Sequence, residues 1–180
     1  MQSNTDSLFS SSVVRKRLLS QADANPTAVA GEIDIAGHAV LAYTSDDPDH
    51  PIENLIDGHH GRRGTFWAGA RPNTTECIVL EFDQPQRVSC LIYEVEESSC
   101  ERTQEVRVEV SSDGARTYRQ VLVQEYAFSP AGATFQHEEQ RFNALPITHL
   151  RLTIVPDKHG SGQAKLNSLR LFASESRSDT

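Results

Sequence analysis

The stretch TSDDPDHPIENLIDGHHGRRGTFW, residues 44–67, divides the chain into two unlike parts. It starts polar and becomes briefly apolar and helical over Pro51–Ile56. Proline at the entry and Gly58 at the exit bound that turn. The chain then runs through the His/Gly/Arg segment His59–Gly64 and ends in Thr65-Phe66-Trp67. Nearly everything after it reads as short strands. Cys77–Asp83 places Ile78, Leu80 and Phe82 on one face. Arg87–Val95 is apolar on both faces, which predicts a central or sandwiched strand. Gln104–Val110 alternates, with Val106, Val108 and Val110 inward. Ser111-Ser112-Asp113-Gly114 is a turn by composition. Tyr118–Phe128 is a further strand, broken at Ser129-Pro130-Ala131-Gly132. Thr134–Phe142 is mostly polar and predicts an edge strand. Ile147–Val155 and Leu166–Ala173 complete the set. Upstream, Ile33, Ile35 and Ala39–Tyr43 predict a first strand or a pair. Seven or eight short strands at turn-bounded spacing predict an all-β sandwich or jelly roll of about eight antiparallel strands.

The ends read differently. Residues 1–31 are rich in Ser, Ala, Asn and Thr without sustained periodicity and predict a disordered tail carrying the basic patch Arg15-Lys16-Arg17. Residues 32–173 form the predicted domain, and 174–180 a polar C-terminal tail. The chain's 180 residues carry a net charge of −8, and the acidity lies after the basic patch. An acidic domain lacks the Lys/Arg surplus that drives binding to phosphate backbones or anionic membranes. No apolar run approaches the roughly 20 residues a membrane span needs. The first residues lack the order of a secretory leader, since their basic cluster follows the apolar ones. A cytoplasmic location is therefore expected. The three cysteines, Cys77, Cys90 and Cys100, match neither a zinc pattern nor a disulfide framework. Cys77 and Cys90 are read as strand residues packed like small hydrophobes, and Cys100 as the one reactive thiol.

No sequence signature of a hydrolase elbow, a zinc protease, a P-loop or a dinucleotide fold occurs. Glu94, Glu96, Glu97 and Glu101 could be paired carboxylates of a glycosidase, but they read as a solvated acidic turn. The chain is expected not to be an enzyme.

Five segments, in order, resemble the discoidin, or coagulation factor 5/8 type C, family of galactose-binding-like jelly rolls. They are His50-Pro51-Ile52-Glu53-Asn54-Leu55-Ile56-Asp57-Gly58, Thr65-Phe66-Trp67, Cys77–Phe82, Val106–Gly114 and Leu150-Arg151-Leu152. The likeness spans about residues 40–173. Within the family, the chain is similar to sugar-binding modules of bacterial glycosidases and to the small discoidin-like subunit of intraflagellar-transport complexes. The resemblance implies a structural calcium ion held by Asp57, the His59 carbonyl and Thr65. The family's second acidic ligand falls at Ser168, and the Asp-to-Thr spacing is longer here. On the residues alone, Asp57 bonds to loop amides and Thr65 caps the strand. The resemblance also implies a non-catalytic module that binds a glycan through loops at one end. His60, Arg62, Arg63, Trp67, Arg102 and His159 are the candidate ligand contacts, although Trp67 also reads as core. The alternative is a protein-interaction subunit docking by a sheet face or edge.

Overall fold

The computed structural model describes residues 31–142, 146–160 and 162–173; the predicted tails fall outside them, save Gly31. Two antiparallel sheets face each other. The larger, five-stranded sheet has the order β1-β3-β8-β5-β6, with β1 Ala39–Tyr43, β3 Glu76–Gln86, β5 Arg102–Ser111, β6 Arg119–Phe128 and β8 Ile147–Val155. The smaller has the order β10-β4-β7, with β4 Val88–Glu96, β7 Phe135–Arg141 and β10 Ser168–Ala173. Two short strands, β2 Trp67–Ala68 and β9 Lys165–Leu166, pair across one end. A 3₁₀ turn, Ile52–Leu55, sits where the sequence predicted a helical turn.

Period-two alternation explains both inner faces. Ile78, Leu80, Val106, Val108, Leu152 and Ile154 come from the larger sheet, and Leu91, Tyr93, Val95, Leu169 and Leu171 from the smaller; each is at most 2% exposed. The strand predicted apolar on both faces is β4, the centre of its sheet. The strand predicted as an edge is β7, an outer strand of the same sheet. Between the sheets, Tyr126 donates to Glu138 Oε2 at 3.1 Å and accepts from the Tyr93 hydroxyl at 2.5 Å. Burial first, and then the shared hydrogen bonding around Tyr126, pushes the Tyr126 phenol far up; burial does the same to Tyr93. Both therefore stay neutral.

Of the first strand or pair expected over Ile33, Ile35 and Ala39–Tyr43, Ala39–Tyr43 is a strand, β1, and the part at Ile33 and Ile35 needs correction. Residues Ile35–His38 form a single helical turn, α1, capped by the Asp34 carboxylate on the Gly37 N–H at 3.2 Å. A Cβ on Gly37 would lie 2.5 Å from Asp34 Oδ2, so glycine admits the cap. Ile33 and Ile35 are both buried. Their spacing of two is met by a turn over the end of the core instead of a strand.

The register places the long connections together. β1 ends, β3 begins, β5 begins, β6 ends and β8 ends on the same side of the larger sheet. There they meet the end of β4 and the starts of β7 and β10. Residues 44–75, 97–101, 129–134, 156–160 and 162–167 consequently share one end of the sandwich.

Candidate functional site

The frame of this end is a set of buried polar anchors. Glu76, 1% exposed, accepts from the Thr44 hydroxyl and from Ser45 Oγ at 2.6 Å. Asp46 caps the 3₁₀ turn through the Ile52 N–H at 3.2 Å. Gln104, wholly buried, exchanges two hydrogen bonds with the Lys165 backbone. Gln163 Nε2 donates to the Gly69 carbonyl at 2.8 Å and ties two loops together. Loops held by so many buried bonds form a rigid platform, because each bond broken there would leave an unsatisfied group.

Trp67 belongs to the frame and is not a ligand contact. It is 0% exposed, and its indole N–H donates to the Ser45 carbonyl at 3.2 Å. In β2, paired with Leu166 of β9, it packs under the loops. Phe66 beside it is already engaged, with His50 stacked at 3.8 Å and the Lys165 ammonium 4.0 Å from its ring centre. Burial, the largest influence, pulls the Lys165 ammonium pKa down.

The structure does bring Asp57, His59 and Thr65 together. Thr65 Oγ1 donates to Asp57 Oδ2 at 2.7 Å, and the His59 N–H donates to Oδ1 at 2.8 Å. Ser168 instead donates to Glu94 Oε2 at 3.0 Å. This arrangement does not fit a calcium ion, which takes six to eight oxygens. Both Asp57 oxygens are used inside the loop. The segment's amides also point inward at carboxylates: the Gly61 N–H donates to Glu94 and the Arg63 N–H to Glu96, each at 2.6 Å. Among the described residues no group of three or more His, Cys, Asp or Glu side chains stands together.

Glu94 and Glu97 correct the reading of a solvated acidic turn. They are 5% and 6% exposed. Glu94 accepts from the Gly61 amide, from His137 Nδ1 at 2.9 Å and from Ser168. Burial alone would raise its pKa, but these donors together outweigh it and hold the carboxyl below its usual range. Glu97 behaves alike: burial opposes ionisation, and the Ser99 hydroxyl and amide with the Arg102 cation outweigh it. One sequence signal for Glu94 existed. It occupies the outer face of β4 in phase with Cys90 and Ile92, on a strand that is mostly apolar on both faces. What covers it, the loop from Asp57 to Thr65, is distant in sequence.

Arg102 also moves from the ligand list to the frame. Its side chain is 1% exposed and lies 3.1 Å from Glu97. Nη1 donates to the Pro156 carbonyl at 2.9 Å and to the Gln163 carbonyl at 2.6 Å. The guanidinium thus holds the 156–163 connection against β5. The Cys100 thiol, expected to be reactive, is half-buried. Burial and then the Glu97 charge raise its pKa, which keeps it protonated near neutrality.

The other candidate contacts are exposed and fall in two places. His59, His60, Arg62 and Arg63 lie over the end of the smaller sheet, where Arg62 donates to Thr134 Oγ1 at 3.1 Å and its guanidinium sits 5.0 Å from the Phe135 ring centre. His159 lies beside the larger sheet with its side chain 83% exposed. It rims a cleft of about 350 Å³ with Glu101, Arg102, Thr103, Ala127, Phe128 and Asp157. Asp157 Oδ1 accepts from the Thr103 and His159 amides, each at 3.1 Å, which fixes the loop and the base of His159.

Two antiparallel sheets packed face to face, with long connections gathered at one end, make the chain a jelly-roll sandwich. The chain belongs to the F5/8 type C domain family, whose sequence model matches residues 40–168. Similar solved structures include the CBM32-3 module of a family 31 glycoside hydrolase from Clostridium perfringens. That match has 18% identity and a TM-score of 0.59 over 82% of this chain and 100% of that one. Another is CpGH89CBM32-5 of the same organism in complex with GalNAc-beta-1,3-galactose, at 20% identity and TM-score 0.56 over 79% and 99%. A third is the family 32 module of C. perfringens NanJ in complex with galactose, at 13% identity and TM-score 0.57 over 79% and 98%. No curated protein matches the chain.

Proposed function

We propose that this chain is a non-catalytic carbohydrate-binding domain whose ligand meets the loop end at the cleft rimmed by His159 and Glu101. The cleft itself carries the reading. It is concave, lined by the exposed Ala127 above the buried Phe128, and sets a carboxylate and an imidazole on its rim. Sugar hydroxyls want such acceptors and donors beside an apolar surface. The sugar complexes of similarly folded modules support the choice of ligand class. The second carboxylate there, Asp157, is tied to two backbone amides. It holds the loop and does not act as a catalytic partner of Glu101.

Titration of the full chain with galactose, GalNAc and GlcNAc disaccharides, by calorimetry and by NMR, tests this reading. Saturable binding is expected, with shifts centred on residues 101–103 and 157–159. His159→Ala should weaken it about tenfold or more without moving the melting temperature, since a rim contact carries affinity but little stability. No binding across a glycan array, with or without calcium, would sink the reading. A protein-docking role draws on one separate observation, the uncharged outer strand β1.

A further inference from the structure

The outer face of the larger sheet is not an apolar docking surface. Arg151 pairs with Glu109 at 2.8 Å and Arg107 with Glu105 at 3.2 Å. Lys158 bridges Glu105 at 3.4 Å and also bonds Glu125. The edges of the two main sheets differ more. An outer strand presents unpaired N–H and C=O groups, and proteins blunt it with charge, proline, bulges or a covering segment. β6 carries Arg119 and Glu125, and β7 carries His137, Glu138, Glu139 and Arg141. β10 carries Arg170 and is flanked by the Gly31–Ile33 segment, through the Glu32–Phe172 bridge and the Ile33 N–H on the Leu171 carbonyl.

Among the described residues, β1 shows none of these devices. Its sequence is Ala39-Val40-Leu41-Ala42-Tyr43. It pairs with β3 in five unbroken register positions, and among the described residues it has no second strand neighbour. Val40 at 56% and Tyr43 at 44% are the two most exposed of the large apolar residues described.

We propose that β1 is a self-association edge: two copies of the chain pair β1 to β1, antiparallel about Leu41, and join their five-stranded sheets into one. The strand is self-complementary in this register. Leu41 faces Leu41, Val40 faces Ala42, and Tyr43 faces Ala39. Val40 and Tyr43 each meet an alanine, Leu41 meets its own copy, and the pattern reads the same from either side, as a twofold interface requires. The pleat agrees as well. Val40 and Ala42 lie on the outer face, level with Glu81 and Val79, while Ala39, Leu41 and Tyr43 lie on the inner face, level with Phe82, Leu80 and Ile78. Charge selects the direction. Copies of a chain with net charge −8 repel one another, and this strand brings no charged side chain to the contact. Parallel pairing would align Asp46 and Asp47 of both copies, whereas antiparallel pairing sets them at the uncharged Ala36 and Ile35 of the other copy.

One five-residue strand pair is a small contact beside the roughly 1,200–2,000 Å² of a tight interface, so the dimer depends on concentration. Sedimentation velocity of the full chain, from low to several hundred micromolar, is the test. The weight-average mass is expected to rise from 19.9 kDa toward twice that value. Val40→Lys and Tyr43→Lys place a charge at exposed positions, leave the far-UV spectrum and melting temperature of the monomer unchanged, and weaken association by about tenfold or more. Amide exchange at residues 39–43 should slow as concentration rises. A wild-type chain that stays monomeric throughout overturns the proposal, and protected amides at 39–43 in that monomer would assign the edge to another occupant. A dimer that survives both lysine variants overturns it equally, because the contact then lies elsewhere.

Discussion

Glu94 joins three parts of the chain with one carboxylate: the Gly61 amide, the His137 ring and the Ser168 hydroxyl. Removing it strands these donors around a buried site. Glu94→Ala should therefore cost about 2–3 kcal/mol, read as a lower midpoint in urea unfolding. The same residue predicts a pH dependence. Glu94 and Glu97 titrate below their ordinary value of 4.5 when folded, so at mildly acid pH the unfolded chain binds more protons. Their contribution is complete above about pH 4.5 and disappears as pH falls through the folded values. The melting temperature should accordingly drop on the acid side, and Glu94→Gln should flatten that limb. A Glu94→Gln profile parallel to the wild type would show that the carboxylate is not what titrates.

At the scale of elements, the β5–β6 hairpin shows what a turn needs. Asp113 accepts from the Thr117 hydroxyl, from the Thr117 and Arg116 amides and from the Ser111 hydroxyl. These bonds, the Thr117 hydroxyl first, hold its carboxyl well below the usual range. Gly114 at φ 73° is suited to the left-handed region, but Ala115 follows it at φ 64°. An L-residue there costs about 1–2 kcal/mol, against about 0.5–1 kcal/mol of extra chain entropy for glycine. Ala115→Gly should be neutral or stabilise by up to about 1 kcal/mol in urea unfolding. A loss larger than that would mean the alanine methyl makes a contact that outweighs the strain. The sequence marked Asp113-Gly114 as the turn but not the second left-handed residue, because alanine carries no signal for that conformation.

The long loop from Asp57 to Thr65 is cross-linked by carboxylates of β4. Its amides donate to Glu94 and Glu96, and its own acid, Asp57, is spent on Thr65 and His59. At the scale of the whole molecule, this predicts the same melting temperature in calcium as in chelator. A cation bound only to the folded state would raise it by mass action, and a rise of several degrees would require the loop to rearrange around the ion. The loop end and the β1 edge lie at different places on one sandwich, so glycan binding and self-association can be tested separately. His159→Ala should change the first and Val40→Lys the second.

How much was readable in advance follows from the range of the interactions. Strand alternation, the turn at Asp113-Gly114 and the apolar central strand are local patterns, and the core of Ile78, Leu80, Val106, Leu152 and Leu171 follows from period two alone. The ordered segments from His50 to Leu152 carried the family likeness for the same reason, since each encodes one strand or turn. Which side chains reach solvent at the loop end was not local. Arg102 looked like a ligand contact because it lies beside a loop, yet the frame buries it, while Trp67, read both as a contact and as core, is core. Glu94 and Glu97 looked solvated because their cover comes from Gly61, Ser168 and Arg102, brought near only by the fold. Sequence alone set the sandwich and its interior, through the alternation of side chains along each strand. The tertiary structure decided which charged groups became buried anchors, as with Glu94, and which, like His159, were left at the surface. A buried charge persists only where donors from other segments meet it, and that meeting exists only once the chain has folded.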